Sequence, residues 1–260
     1  MRKKVLTLLF IGLIATTFVQ AQVVDKDAFF TKLEEKHSEF NEINGQFEIT
    51  MKLFGTDMVI PVNFWQKDKK VRMDFKIAMA GMPFPMEQTM LIDENRLVQY
   101  HSMFNTVMTA DLTKMPDKIR EAISRNHISM LGGKENFSAL NKIKDEIEIL
   151  MKKKDGKTYY VLTLKDMEKI GGAPPIMGQL NPTKLFKEMV CWVDADTFLY
   201  SKIEIYSDKP ETSCLVVDII KLDSAKVSDD IFMVKFPEDA KQKDITEIMM
   251  KLFEFKKKKE

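Results

Sequence analysis

His37, His101 and His127, the thiols of Cys191 and Cys214, and the closely spaced Asp194 and Asp196 are the residues here whose types invite a search for bond-making chemistry. Their spacing supports none. The histidines are scattered, with no HExxH or paired spacing that would put two imidazoles on one helix face for a metal. No nucleophile elbow or glycine-rich phosphate loop accompanies them. Asp194-Ala195-Asp196 sits where a hairpin needs a turn and has no partner base. The expectation is a protein without a catalytic site, metal or cofactor. The chemistry that the spacing does support is apolar binding. Between residues 46 and 112, apolar and polar residues alternate, and nine of the chain's 19 methionines fall in that stretch. Methionine is flexible and polarizable, suited to apolar shapes that are irregular or change; it also fills ordinary cores.

Strands must position these residues. In Val71-Arg72-Met73-Asp74-Phe75-Lys76-Ile77 a period of two puts Val71, Met73, Phe75 and Ile77 on one face and the charges on the other. Phe47, Ile49 and Met51 alternate in the same way, as do Met90 and Ile92. Strands are expected near residues 45–54, 58–66, 70–79, 88–93, 96–101 and 104–112, joined by turns at 55–57, 67–69 and 93–95, which implies an antiparallel meander. A helix over 25–40 precedes them, capped by Asp25 or Asp27, with Phe29, Phe30, Leu33, His37 and Phe40 at helical spacing. Helices are expected at 116–125 and 135–144, then a hairpin around Asp155-Gly156 with strands at 147–151 and 158–164. A loop at 171–180, strands at 188–193, 198–207 and 213–222, a closing strand at 231–236 and an amphipathic helix from Ile245 complete the chain. A sheet this long curls, and helices laid in its concave side would cover the apolar face. The expected fold is mainly β: a curved antiparallel half-barrel with helices covering the concave face.

Residues 1–21 read as a secretory signal. Arg2, Lys3 and Lys4 form a basic n-region, 5–19 is apolar or small, and Val19 and Ala21 stand at −3 and −1, with cleavage before Gln22. No cysteine lies near that site, so no lipid anchor is expected, and residues 22–260 form one exported domain. The whole chain has a formal charge of +1; losing the signal's three cations leaves −2. That balance gives no footprint for nucleic acid. Cys191 and Cys214 fall on the first and third strands of a meander, about 9–10 Å apart across two strand spacings. A disulfide needs Cα atoms within roughly 4.4–6.8 Å, so two free thiols are expected.

The segments 64–75 (Phe-Trp-Gln-Lys-Asp-Lys-Lys-Val-Arg-Met-Asp-Phe) and 90–100 (Met-Leu-Ile-Asp-Glu-Asn-Arg-Leu-Val-Gln-Tyr) resemble successive hairpins of periplasmic lipoprotein carriers of the LolA type. Residues 232–237 are similar to that family's final strand. The resemblance implies an unclosed half-barrel, LolA/LolB-like, that holds acyl chains between sheet and helices. Its ligand would be an acylated lipoprotein or a lipid, and a membrane protein of the envelope a further partner. By position, Val71, Met73 and Phe75 match the family's cavity strand; Phe47, Ile49, Met51, Ile77, Met90 and Ile92 extend the wall. The arginine that helps latch the carriers' helices lines up with Lys67, and the proline after it with Asp68. An insertion at 78–86 carries Met79, Met82, Phe84 and Met86, a candidate lid or a loop tucked on itself. The implied activity is a periplasmic carrier or chaperone; the alternative is a lipid or lipoprotein sensor or adaptor on the same fold.

Overall fold

The structure, a computed structural model, describes residues 24–38, 42–53, 56–78, 85–117, 120, 143–165, 187–207 and 213–257. The signal segment expected at 1–21, Phe40, His127, most of the two helices expected at 116–144, the loop expected at 171–180, and Met79, Met82 and Phe84 lie outside the described residues.

One open, curved sheet of twelve strands carries the fold. A helix, α1 (Lys26–Ser38), leads into β1 (Glu42–Leu53), β2 (Thr56–Lys67), β3 (Lys70–Ile77), β4 (Met86–Ile92), β5 (Arg96–His101) and β6 (Thr106–Asp111). Then follow β7 (Glu148–Lys154), β8 (Lys157–Leu164), β9 (Glu188–Asp194), β10 (Tyr200–Tyr206), β11 (Ser213–Asp223), β12 (Lys241–Asp244) and α2 (Thr246–Lys257). The spatial order is β12-β6-β5-β4-β3-β2-β1-β11-β10-β9-β8-β7: two meanders joined where β11 pairs with β1.

Local chemistry explains the turns. Asp155 and Gly156 both take positive φ (51° and 78°), as a two-residue hairpin of matching twist requires. Asp93 Oδ1 accepts from the backbone N–H groups of Asn95 and Arg96, both at 2.9 Å, so a side chain organises that turn. Asp194 does the same for Asp196 and Thr197, which makes the apparent carboxylate pair a turn. Asp25 Oδ1 accepts from Ala28 N at 3.0 Å and caps α1.

Directly paired residues share a face, so the register defines two sides. The first side carries the main core, with Ile43, Phe47, Ile49, Ile60, Val62, Phe64, Val71 and Met73 from β1–β3 and Leu162, Cys191, Val193, Ile205, Leu215 and Val217 from β8–β11. Phe29, Phe30 and Leu33 of α1 are buried in it. Phe29 lies 4.8 Å from the ring of Tyr160 and 5.8 Å from Phe198, which places α1 on the β8–β10 half. The same side continues to Ile92, Leu97 and Ala110, where Ile245, just before α2, and Met249 and Met250 of its first turns pack. Cys191 and Cys214 are free, with β10 between their strands.

The closing strand expected at 231–236 does not form. Asp229–Phe232 is a 3-10 turn, and residues 233–237 join no ladder. The physical reason is the path. β11 ends in the middle of the sheet and the chain must reach the β6 edge, so residues 224–240 cross the second face of β2–β6. Val227, Phe232 and Ala240 bury against Leu91, Val98 and Val107, with Trp65, Tyr100, Ile231 and Phe236 packed around them. The apolar spacing that reads as a strand is a strap of anchors. It ends in β12, whose polar sequence Lys-Gln-Lys-Asp pairs in parallel with β6.

Candidate functional site: the methionine rim of the first face

All nine residues expected to line an apolar wall point to the first face. Met51 pairs with Met58 across β1–β2; Val71, Met73 and Ile77 pair with Ile92, Met90 and Met86 across β3–β4; Phe75 pairs with Val62 across β2–β3. Their burial separates them into two groups. Phe47, Ile49, Val71, Met73 and Ile92 are each at most 2% exposed and form solid core. Met51, Phe75, Ile77 and Met90 are only half-buried and pack against that core from its border.

Of these, Met51, Phe75 and Ile77 lie toward one end of the strands, while Met90 pairs with Met73 in mid-ladder. Through the register, Met51, Met58, Phe75, Ile77 and Met86 fall at the end where β1 turns into β2 and β3 leaves for β4. Met189, half-buried, reaches the same end through Ile205 and Leu215. Ala78 and Pro85, which flank the insertion, and Lys165 and Lys187, which flank the long β8–β9 connection, are at this end too. The result is a rim of half-buried methionines, with Phe75 and Ile77, that borders the buried core. Such a surface re-packs around an apolar guest more cheaply than branched side chains do.

At the opposite end, Gln66 interrupts the apolar face. Its residue is 6% exposed, between Ile43 and Val71 in register, and its Oε1 accepts no hydrogen bond. His37 is the other buried polar group near this core. Its Nε2–H donates to the Phe198 carbonyl at 3.1 Å, and its ring lies 5.3 Å from Tyr200. Burial holds the imidazole neutral, lowering its pKa to about 4 against the opposing pull of that carbonyl. Burial likewise pushes the Cys191 thiol up to about 12, so it is not a reactive thiolate.

Lys67 stands on the second face. Its Nζ donates to the Val227 carbonyl at 3.2 Å and to Asp229 Oδ2 at 3.0 Å, so what it fastens is the strap. Arg72 holds the same strap through the Ile231 carbonyl at 2.7 Å while forking onto Asp74 at 3.0 and 2.7 Å. Asp68, where the resembling carriers keep proline, has φ 53°, a conformation proline cannot reach. Of the insertion's residues, Met86 opens β4. Sequence reasoning did not single out Met58 or Met189. Both stand at first-face positions of strands that it did expect; carrying the alternation through 58–66 and 188–193 would have found them. Among the described residues no group of three or more His, Cys, Asp and Glu could hold a metal, and no helix is long and apolar enough to cross a membrane.

No family model and no curated protein matches the sequence. Solved structures do match. An uncharacterized conserved protein from Thermus thermophilus superposes with a TM-score of 0.51 at 8% identity, covering 84% of this chain and 98% of that one. A LolA superfamily protein from Nitrosomonas europaea gives a TM-score of 0.34 at 12% identity, covering 82% and 98%. LprF from Mycobacterium bovis gives 0.41 at 10%, covering 83% and 97%. The likeness to the Thermus protein, at 8% identity, is one of fold.

Proposed function

We propose that this chain is a non-enzymatic periplasmic binding protein that takes the acyl chains of lipids or lipoproteins against the first face of its sheet. In this reading that face is the concave one, α1 and α2 cover it, and the guest enters at the rim of Met51, Met58, Phe75, Ile77, Met86 and Met189. The observation that carries the proposal is the gradient on this face, from solid core at Phe47, Ile49, Val71 and Met73 to half-buried methionines at one end of the strands. The exported, near-neutral composition and the hairpin motifs support it.

Each methylene removed from water contributes about 0.8 kcal/mol, so a long acyl chain supplies ample affinity. Reversibility then requires the empty site to be partly covered by the protein's own apolar groups, whose displacement offsets part of that gain. Half-buried methionines meet that requirement. The test is titration with a fluorescent long-chain fatty acid. The wild type is expected to bind, Met58→Gln and Phe75→Gln to weaken binding by about tenfold through loss of roughly 1.5 kcal/mol of apolar burial each, and Lys76→Ala on the second face to change nothing. Binding unaffected by the rim variants, or lost equally in all three, would sink the assignment.

A further inference from the structure

Beyond Phe75 the first face changes character. Across the register, Phe75 pairs with Gln88 of β4, Gln88 with His101 of β5, His101 with Thr106 of β6, and Thr106 with Lys241 of β12. The neighbouring row runs from Met90 through Gln99 and Met108 to Lys243. Paired residues share a face, so Gln88, Gln99, His101, Lys241 and Lys243 stand on the same side as the methionine rim. Ile245, two residues beyond Lys243, packs in the first-face cluster and fixes the facing of β12. Gln88, Gln99 and His101 are half-buried, and both lysines are exposed.

Among the described residues none of those five side chains makes a hydrogen bond or an ion pair. The same strands keep their carboxylates on the other side. Asp74 pairs with Asn63, Glu87 with Lys76, Asp111 with Arg96 and Asp244 with Thr109, all on the second face. The first face of β3–β6 and β12 therefore presents unpaired amides, an imidazole and two ammonium groups, with no Asp or Glu beside them. Partial burial lowers the His101 pKa, so near neutral pH its ring donates one N–H and carries no charge.

The order of these groups matches one kind of guest. Apolar Phe75 and Met86 come first, the neutral hydrogen-bonding groups of Gln88, Gln99 and His101 next, and the ammonium groups last. Four strand spacings, about 19 Å, separate Phe75 from Lys241. A fatty carboxylate carries its charge directly on its chain and meets only the neutral groups. A phospholipid with an acidic head has the order of the row: chain, ester and glycerol, then phosphate. We infer that Gln88, Gln99 and His101 receive the ester and glycerol of an anionic phospholipid whose chain occupies the rim, and that Lys241 and Lys243 receive its phosphate. The inference rests on the acyl-binding proposal and adds the head group that the site selects.

The experiment displaces a fluorescent palmitate analogue with palmitoyl lysophosphatidylglycerol or with monopalmitoylglycerol, which has the same chain and ester but no phosphate. The phospholipid is expected to compete about tenfold more tightly, through charge-assisted contacts to its phosphate. Lys241→Gln/Lys243→Gln is expected to erase that preference while monopalmitoylglycerol competes as before. Lys76→Gln/Lys235→Gln, which removes the same charge from the second face and its strap, is expected to keep it. Gln88→Ala is expected to weaken both lipids alike, and inorganic phosphate at the same concentration to displace nothing. Equal competition by the two lipids, a preference that survives Lys241→Gln/Lys243→Gln, or one lost equally in the second-face variant would overturn the inference and leave acyl binding intact. So would unchanged competition in Gln88→Ala, or displacement by inorganic phosphate. Failure of the palmitate analogue itself to bind would instead overturn the acyl-binding proposal beneath it.

Discussion

Gln66 holds a buried amide oxygen with no donor, an arrangement that costs about 1–3 kcal/mol. Gln66→Met keeps the side chain's length and removes the orphan; its unfolding free energy should rise by about 1 kcal/mol in chemical denaturation. An unchanged or lower value would mean that the oxygen has a partner in solution. His37 gives a pH signature of opposite character. Its folded pKa, about 4, lies below the ordinary value of 6.5. The unfolded state therefore binds the proton first as pH falls. The stabilisation is complete above about pH 6.5, drains away between 6.5 and 4, and amounts to roughly 3 kcal/mol. His37→Gln should flatten that slope in urea melts at stepped pH. At this scale the sequence was legible in pattern but not in depth. Period two placed Met73 and Phe75 on one face, yet only packing shows that Met73 is core and Phe75 is border. Met73→Asp buries a carboxylate in that core and should unfold the protein, whereas the Phe75→Gln protein stays folded.

Elements were legible where one segment decides its own state. The strands from β1 to β11 follow alternation and turn chemistry, and α1 follows its cap and apolar stripe. The strap was not, because residues 231–236 satisfy a strand pattern locally and lose it to a topological need. β11 ends mid-sheet, and the chain must cross the second face to reach β6. β12 was invisible for the complementary reason: four polar residues with no period become a strand through β6. The strap's anchors make a prediction at this scale. Phe232→Ala removes a buried ring from the Leu91–Val98–Val107 cluster and should cost about 3–4 kcal/mol. Lys67→Ala loses a solvent-screened ion pair and one carbonyl contact, and its cost in stability should be far smaller than that of Phe232→Ala. Were Lys67 a latch on the acyl site, that variant would shift probe affinity; fastening the strap, it should leave affinity unchanged. Asp68→Pro, which installs the residue that the resembling carriers keep there, should destabilise the β2–β3 hairpin by about 3 kcal/mol or more, because φ is positive.

For the whole molecule, a twelve-stranded sheet with core on one face and a strap on the other leaves its adaptable surface at one end. What decides the function is whether that end receives acyl chains. Native mass spectrometry of the protein expressed with residues 1–21 in place and recovered from a periplasm is the most direct reading. It should show a population heavier than the polypeptide by the mass of an acyl-bearing species, released by organic extraction and reduced in Met58→Gln and Phe75→Gln. A single species at the polypeptide mass, with no uptake of the palmitate analogue by the same preparation, would contradict it.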